Sequence, residues 1–441
     1  MTRANEIGAN SYLLEIGNTR IILDSGLHPK RTGPEALPRF EDLPPDSVDA
    51  IIVTHSHLDH VGSLPILMQD QPSARVFMTP PTAALADALL HNSVNVMKAQ
   101  RIELDLPDYP LFTHGMVDEI ERRFEPRDYE KPFELDFAGQ VRATFYDAGH
   151  ILGSAGVLIE GPGKRIFYTG DVHFEDHALI KGARFPELHD LDVLITETTR
   201  GDTERRPGYS RVEEEERFVA AINKALDRGG AALIPVFAIG KTQEVLTMIH
   251  ECKGNGRLPD AQTFIGGLST KMTVIYDKFA DSTRRTAAGF RILRDMELTA
   301  GSRRRKRTIE YQPGCIFALS SGMMTEKTVS NGFARHFLDN PKNSLLFVGY
   351  ADEATPGGRI RAAKRGDPID LDPELPPVTL DCDVEIFDFS GHAPRDQLRD
   401  FMLAAKAKMN LLVHGDPAAS QWFADHLDHS LMPPPGERIP L

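Results

Sequence analysis

The sequence predicts an α/β protein in which buried strands alternate with helices. Short apolar runs, rich in β-branched residues and bounded by turn residues, have the length of buried strands at residues 20–23, 50–53 and 192–195. Apolar residues follow with helical spacing at residues 81–90 and 213–226. Because the two patterns alternate along the chain, we expect the α/β class.

The chain has 441 residues, more than one ordinary core accommodates, so we expect two domains or one domain with a large insertion. A second αβ block begins near residue 205, where a strand-like run at 231–237 precedes a helix-like run at 241–251. Residues 361–377 are rich in charge and proline and predict a return linker, which is followed by strand-like segments ending at 410–413.

Composition predicts a folded, cytoplasmic protein. A hydrophobic content of 41% excludes the low hydrophobicity typical of disordered chains. No apolar run approaches the roughly 18 residues that span a bilayer, and the N-terminal residues lack a signal-peptide pattern, so we expect no membrane association. A net charge of −14 argues against general electrostatic attraction to nucleic acid, although bound divalent cations would offset part of it.

Cysteine usage excludes two classes of site. The three cysteines, Cys252, Cys315 and Cys382, are widely spaced and form no Cys-x-x-Cys pair. This pattern indicates neither a disulfide framework nor a thiolate zinc site. We expect all three to be buried small residues.

The run from His55 to His60 carries the strongest functional signal. His55 and His57 stand two positions apart just after the strand-like run at 50–53, so both imidazoles can point the same way and share one metal. Asp59 and His60 follow at once and can face a second metal, as two-metal hydrolases require. Imidazole and carboxylate ligands suit zinc or manganese rather than calcium, and we expect zinc.

Further ligands are expected at other strand ends. His150, Asp171 and His414 each occur where a strand-like run meets a glycine turn, and open α/β folds place their sites at such positions. A single histidine of this kind is more often structural, but the shared setting of the three favours a role at the metal site. The sequence therefore predicts a two-metal hydrolase.

These segments resemble the metallo-β-lactamase superfamily. Its first motif, an aspartate after a strand, is matched by Asp24, and its second by residues 55–60. His150 matches the third motif and Asp171 the fourth. The resemblance covers nearly the whole chain and implies an αββα sandwich.

The resemblance is closer to one branch of the superfamily, the β-CASP proteins that cleave nucleic acids. This branch adds three motifs, which match Glu197, His392 and His414. It also implies that a β-CASP domain of αβ type is inserted into the sandwich and covers the site. The expected domains are residues 1–204 and 361–441 for the metallo-β-lactamase domain, and 205–360 for the insertion.

The resemblance further implies how two zinc ions are held, with manganese as an alternative. The implied ligands are His55, His57 and His150 for one ion, Asp59, His60 and His414 for the other, and Asp171 as the bridge. Asp24 would orient the histidine loop from behind the ligands.

The relatives that this chain resembles are compact bacterial and archaeal proteins similar to the endonuclease that cleaves messenger-RNA precursors at their 3′ ends. We therefore expect an endonuclease for single-stranded RNA, with the substrate in the cleft between the two domains. The 5′ exonucleases of the branch usually carry an extra C-terminal domain, whereas this chain ends at Leu441, which favours endonuclease action. DNA as substrate stays open, because no feature reports on the ribose 2′-hydroxyl, and so does a homodimer.

The expected mechanism is attack on phosphorus by a hydroxide that bridges the two metals and forms because bound metal lowers the water pKa to about 7. His392 would protonate the departing oxygen, with Glu197 orienting it and favouring its charged form. In this assignment Asp59, Asp171, Glu197 and His392 carry the catalysis.

Contacts to phosphate are expected from small residues and from basic side chains. Small residues let backbone amides approach phosphate oxygens, which favours Ser321 and Gly322, and Lys241 at a predicted helix start would add charge. A dense basic segment includes Arg303, Arg304 and Arg305. It is expected either to contact the RNA backbone or to form a solvated surface.

Two other functions fit parts of the pattern. The same metal core can serve the hydrolysis of a small ester, lactone or thioester, but the matches at Glu197 and His392 disfavour it. A non-catalytic RNA-binding subunit is the other alternative, since some members of the branch have lost metal ligands. This chain retains every ligand, which argues against that alternative.

Overall fold

The computed structural model describes residues 1–301 and 309–441. They divide into two compact units built of helices and strands, which confirms the predicted α/β class. The first unit comprises Met1–Asp176, Gly182–Arg205 and His392–Leu441, and the second comprises His177–Lys181 and Arg206–Gly391. Strands and helices are numbered below in chain order.

The first unit begins with a five-stranded sheet in the order β1-β2-β3-β4-β5. Its first pair is antiparallel and the other pairs are parallel. The strands are β1 (Tyr12–Ile16), β2 (Thr19–Leu23), β3 (Ala50–Ile52), β4 (Arg75–Met78) and β5 (Phe124–Pro126). The helices between them are α1 (Leu58–Val61), α2 (Leu64–Asp70), α3 (Pro80–Glu103) and α4 (His114–Glu121), with short 3-10 helices at Gly33–Ala36 and Phe40–Asp42.

A seven-stranded sheet completes the first unit, in the order β20-β19-β10-β9-β8-β7-β6. Strands β6 to β9 pair antiparallel, whereas β9, β10, β19 and β20 are parallel neighbours. The strands are β6 (Phe133–Glu134), β7 (Arg142–Asp147), β8 (Ala155–Gly161), β9 (Lys164–Tyr168), β10 (Val193–Glu197), β19 (Met409–Val413) and β20 (Ser430–Leu431). Helices α11 (Arg395–Ala405) and α12 (Pro417–His426) accompany the last strands.

The two sheets of the first unit pack face to face. One buried cluster joins side chains of both, such as Leu23 and Ile52 from the first sheet and Phe145 and Ile195 from the second. A second cluster covers the other face of the first sheet with α2, α3 and α4, and a third covers the other face of the second sheet with α11 and α12. Burial of each such side chain stabilises the fold by roughly 1.5–3 kcal/mol. The layers are therefore helix, sheet, sheet and helix.

The second unit contains a six-stranded parallel sheet in the order β13-β12-β14-β11-β15-β18. Its strands are β11 (Ala232–Pro235), β12 (Thr263–Gly266), β13 (Leu298–Ala300), β14 (Ile316–Leu319), β15 (Ser344–Phe347) and β18 (Asp383–Ile386), and β16 (Pro368–Ile369) and β17 (Val378–Thr379) form a separate hairpin pair. The helices are α5 (Arg211–Asp227), α6 (Lys241–Gly254), α7 (Leu268–Lys278), α8 (Ile292–Asp295), α9 (Val329–Ala334) and α10 (Pro356–Ala362).

The chain leaves the second unit later than the position expected for the return linker. We expected the return at residue 361, whereas residues 361–391 pack with the second unit. The reason is β18, which pairs with β15 and extends the parallel sheet by one strand. The first unit resumes at His392.

The local predictions agree with the observed elements. The strands expected at 20–23, 50–53 and 192–195 are present as β2, β3 and β10, and the helix expected at 81–90 is the first part of the longer α3. All three cysteines are free and buried, as expected. Among the described residues, no helix combines the length and the apolar character that crossing a membrane requires.

Candidate metal centre

The run from His55 to His60 lies at the carboxyl end of β3. His57 precedes α1 in an extended conformation, with φ −74° and ψ 154°, so the chain turns sharply between the strand and the helix. His55 and His60 are fully buried, while the neighbouring Asp59 is partly exposed. Both imidazoles and the carboxylate therefore converge within one short turn.

The first cluster consists of His55, His57, His150 and Asp171, and neighbouring ligand atoms in it lie 3.1–3.6 Å apart. Nδ1 of His57 lies 3.2 Å from Nε2 of His55 and 3.1 Å from Nε2 of His150. Oδ2 of Asp171 lies 3.4 Å from Nε2 of His55 and 3.6 Å from Nε2 of His150. Four ligands about 2.0–2.1 Å from one tetrahedral zinc ion are about 3.3 Å apart, so these residues fit such an ion.

The second cluster consists of Asp59, His60 and His414. Nε2 of His60 lies 3.4 Å from Nε2 of His414, and the latter atom lies 3.3 Å from Oδ2 of Asp59. Nε2 of His60 lies 3.9 Å from Oδ2 of Asp59. The three side chains can hold a second ion beside the first.

Asp171 faces both clusters with different oxygen atoms. Oδ2 faces the first cluster, whereas Oδ1 lies 3.3 Å from Nε2 of His60 and 3.1 Å from Nδ1 of His414. Oδ1 is buried and has no geometrically acceptable hydrogen bond among the described residues. A buried carboxylate oxygen of this kind is costly unless a cation or donor satisfies it, which fits a bridging ligand.

The electrostatics of the site favour bound cations. Burial lowers the pKa of His55 well below its ordinary value and the neighbouring His60 adds to that effect, so His55 is in the neutral, ligating form. Burial raises the pKa of Asp171, but the imidazoles of His414 and His60 outweigh it and hold that pKa well below its usual range. Burial likewise lowers the pKa of His60, and the charges of Asp171 and Asp24 raise it well above its usual value. The carboxylates thus attract positive charge, which a metal ion supplies more strongly than a proton.

Asp24 lies behind the ligands, in the position expected for orienting the loop. Its carboxylate accepts hydrogen bonds from the backbone N–H and the hydroxyl of Thr54 and from the hydroxyl of Tyr168, which lies 2.7 Å away. Oδ2 of Asp24 also lies 2.8 Å from Nδ1 of His60. Because that contact uses Nδ1, Nε2 is the ring nitrogen that faces the second cluster.

Glu197 and His392 lie next to the first cluster. Nδ1 of His392 lies 3.0 Å from Oε2 of Glu197, and the other carboxylate oxygen accepts from the backbone N–H of Val172 at 2.7 Å. The rings of His392 and His150 have centroids 4.6 Å apart. Burial lowers the pKa of His392, but the charge and hydrogen bond of Glu197 outweigh it and raise that pKa to about 8. The imidazole is therefore largely protonated at neutral pH and able to donate a proton.

Several residues of the site were not found from the sequence. The hydroxyl of Thr54 lies 3.1 Å from Nδ1 of His55, and that of Thr199 lies 3.1 Å from Nδ1 of His414. Thr54 precedes His55 and Thr199 follows Glu197 by two positions, and this closeness to predicted site residues could have identified both threonines. Asn10 donates to the carbonyl of Asp59, and Tyr12, the first residue of β1, donates to Asn10; neither residue carried such a signal.

Three of the residues expected to contact substrate lie in the second unit. The ammonium of Lys241 donates to the carbonyl of Phe389, and the hydroxyl of Ser321 accepts from the backbone N–H of Thr325 at 3.2 Å. Gly322 packs against Phe237 so closely that a Cβ would lie 2.9 Å from the ring. Arg303, Arg304 and Arg305 lie outside the described residues.

Three family models match consecutive parts of the chain. The model described as the Metallo-beta-lactamase superfamily matches residues 4–206, and the model of the Beta-Casp domain matches residues 242–360. A third model, described as the Zn-dependent metallo-hydrolase RNA specificity domain, matches residues 377–431.

Curated proteins that resemble the chain include an endoribonuclease, a transcription termination factor and a cleavage and polyadenylation specificity factor. Endoribonuclease YSH1 of Yarrowia lipolytica is 30% identical over 93% of this chain and 49% of its own length. Transcription termination factor FttA of Methanothermobacter thermautotrophicus is 31% identical over 93% of this chain and 65% of its own length. Cleavage and polyadenylation specificity factor 73 of Drosophila melanogaster is 29% identical over 93% of this chain and 58% of its own length. The chain thus spans about half to two thirds of these relatives.

A solved structure has the same fold. It is a protein of unknown function from Enterococcus faecalis V583, superposes with a TM-score of 0.58 at 12% identity, and the match covers 99% of this chain and 98% of that one. At this identity the likeness concerns the fold alone.

Proposed function

Because the chain belongs to the β-CASP branch of the metallo-β-lactamase superfamily, we propose that it is a metal-dependent endoribonuclease that hydrolyses phosphodiester bonds in single-stranded RNA. The observation that carries the proposal is the pair of ligand clusters that share Asp171, with the Glu197–His392 pair beside them. Two-metal sites are typical of enzymes that displace an oxygen at phosphorus. An adjacent protonated imidazole can supply the proton that the leaving oxygen needs.

The proposed cofactors are two zinc ions per chain, with manganese as the alternative. One ion would be held by the first cluster and the other by the second, with Asp171 contributing one oxygen to each. The donor set of imidazoles and carboxylates supports zinc, as do the distances of 3.1–3.6 Å between neighbouring ligand atoms of the first cluster. When bound, the ions would lower the pKa of water and neutralise charge on the phosphate.

The residues of the chain would divide the remaining work. Nδ1 of His392 faces Glu197, so Nε2 is the ring nitrogen that would deliver a proton to the departing oxygen. Glu197 would hold the ring in place and favour its protonated form. Asp24 would keep His60 in the tautomer that presents Nε2.

RNA is proposed as the substrate on two grounds. The match to the RNA specificity domain spans residues 377–431, which include His392 and His414. Relatives of the chain are named as endoribonucleases. We propose that Lys241, Ser321 and Gly322 of the second unit, together with the basic segment at Arg303, Arg304 and Arg305, contact the RNA backbone.

The experiment that tests the proposal uses metal-analysed protein with two single-stranded substrates of one sequence, RNA and DNA, each both end-labelled and circular. A circle has no ends, so only an endonuclease can cut it. We expect cleavage of circular RNA by the wild type and by the control Asp428→Ala, whose side chain is exposed, and loss of cleavage in Asp59→Ala. Degradation only from an end would refute endonuclease action.

The same experiment separates the alternatives. Binding of RNA without cleavage by metal-loaded protein would favour a non-catalytic RNA-binding subunit. Cleavage of DNA circles alone would favour a DNA nuclease. If neither polymer is bound or cut while a small ester or thioester is hydrolysed, the protein is a small-molecule hydrolase.

A further inference from the structure

Helix α1 is too short to satisfy its own backbone. It contains four residues, so most of its carbonyl groups lack a partner within the helix and must find one elsewhere. The carbonyl of His60 accepts from the backbone N–H of Ser25 at 2.8 Å, and that of Leu58 accepts from Leu27 at 2.9 Å. Other segments of the chain therefore hold the ligand-bearing helix in position.

Asn10 holds the carbonyl of Asp59 through two hydrogen bonds. The backbone N–H of Asn10 donates to it at 2.9 Å, and the side-chain Nδ2 donates to the same oxygen at 3.1 Å. Asn10 is 1% exposed. Gly26 packs against both residues. Its backbone N–H donates to the carbonyl of Asn10, and a Cβ at this position would lie 1.8 Å from the carbonyl oxygen of Asp59.

The contacts of Asn10 determine how its amide is oriented. Nδ2 also donates to the carbonyl of Gly8 at 3.1 Å, and carbonyl oxygens only accept, so the nitrogen must point toward them. Oδ1 accepts from the hydroxyl of Tyr12 at 3.0 Å. In this orientation Nδ2 lies 3.3 Å from Nε2 of His60, the atom that faces the second cluster.

Tyr12 extends the network to the other ligand of the second cluster. Burial raises the pKa of the Tyr12 hydroxyl, whereas the backbone N–H of His414 acts to lower it, which places the two groups close together, while the hydroxyl donates to Asn10. His414 adopts a φ of 49°, in the left-handed region that non-glycine residues rarely occupy, so its backbone needs support from its surroundings. Asn10 and Tyr12 thus both act on the second cluster.

We propose that Asn10, supported by Tyr12, is a positioning residue that builds the second cluster by tying the Asp59–His60 turn to the turn of His414. The inference rests on the proposed function, since it assumes that the cluster binds metal. Residues that orient metal ligands change metal affinity by about 10- to 100-fold when they are removed. Removal of the Asn10 side chain therefore weakens one of the two metal sites and leaves the other unchanged.

Zinc affinities of the metal-free protein, measured by competition with a chromophoric chelator, test this inference. Asn10→Ala is expected to bind one zinc ion with unchanged affinity and the second about 10- to 100-fold more weakly. Asn95→Ala is the matched control, because Asn95 is exposed on α3 and its amide donates to the carbonyl of His91, which belongs to neither cluster. Two unchanged affinities in Asn10→Ala would overturn the inference.

Single-site backgrounds identify which site is affected. His57→Ala removes a ligand of the first cluster only and His414→Ala one of the second only. Adding Asn10→Ala should lower the affinity for the remaining zinc ion in the His57→Ala background. In the His414→Ala background, the affinity for the remaining zinc ion should not change. Equal weakening in both would indicate general destabilisation and contradict the inference. A wild type that binds no metal would overturn the proposed function as well.

Tyr12→Phe gives a milder test that does not depend on whether Asn10→Ala folds. It keeps the ring, whose centroid lies 6.0 Å from that of Tyr168, and removes only the hydroxyl. We expect a smaller decrease of affinity at the same site. In the metal-free form of both variants, the peptide spanning residues 55–62 should exchange amide hydrogens faster than in the wild type, and unchanged exchange would contradict a positioning role.

Discussion

Nδ1 of His392 lies 3.0 Å from Oε2 and 3.1 Å from Oε1 of Glu197, although 195 positions separate the two residues in the chain. If this imidazole protonates the leaving oxygen, His392→Ala keeps its metal and cleaves RNA about 10²- to 10⁴-fold more slowly in single-turnover assays. His189→Ala, which changes an exposed histidine, serves as the control. An equal cleavage rate in His392→Ala would exclude the assignment.

The pH dependence of cleavage should report the same group. Burial lowers the pKa of His392 and Glu197 raises it, to about 8, so the proton-donating form prevails below that pH and disappears above it. We expect the single-turnover rate to fall above about pH 8, and Glu197→Gln to move this fall to lower pH because the charge that raises the pKa is removed. A profile that is the same in both proteins would contradict the pairing.

Asp24→Asn tests the support behind His60. Asparagine has nearly the shape of aspartate and tolerates the φ of 61° at this position, so the backbone is retained while the charge beside Nδ1 of His60 is removed. Zinc affinity measured by chelator competition should fall by about 10- to 100-fold. Asp24→Ala should be worse, because alanine does not favour this φ. An affinity equal to that of the wild type would argue against the orienting role.

Removal of metal should destabilise the first unit. A ligand that binds only the folded state at 1,000 times its dissociation constant adds about 4 kcal/mol to the free energy of unfolding for each site. We expect a chelator to lower the melting temperature measured by circular dichroism, and zinc to restore it. In Asp59→Ala the shift should be smaller because one cluster is incomplete. The same melting temperature with and without zinc would argue against resident metal.

The basic segment is tested by exchanging Arg303, Arg304 and Arg305 together. Alanine at all three positions should weaken RNA binding and reduce its salt dependence, by about 0.7 in the slope of log affinity against log salt for each phosphate that is no longer neutralised. The triple lysine variant keeps the charge and should keep most of the slope. Unchanged affinity of the alanine variant at several salt concentrations would rule out a role of the segment in RNA binding.

The sequence located the candidate ligands because each follows a strand. His55 comes after β3, Asp171 after β9 and His414 after β19, and the β9 and β19 strands are both parallel to β10, so their carboxyl ends share an edge. Apolar runs and the turn residues that follow them are visible in one sequence. The convergence of Asp171 and His414 was therefore predictable without the structure.

The supporting residues were not predictable in the same way. Asn10 and Tyr12 act through backbone groups of residues far along the chain, and a hydrogen bond to a backbone group leaves no pattern in residue type at the other position. The late return to the first unit was missed for a related reason. Strand β18 contains Asp383 and Glu385, and its partial exposure at a sheet edge permits charges that a buried strand would exclude.

The position of His414 determines when the centre can form during synthesis. It lies 354 positions after His60, with which it shares the second cluster. A ribosome that adds about 5–20 residues per second needs about 20–70 s to cover that distance. Throughout this interval the growing polypeptide holds only part of its ligands. The complete set of ligands therefore exists only after nearly the whole chain has been synthesised.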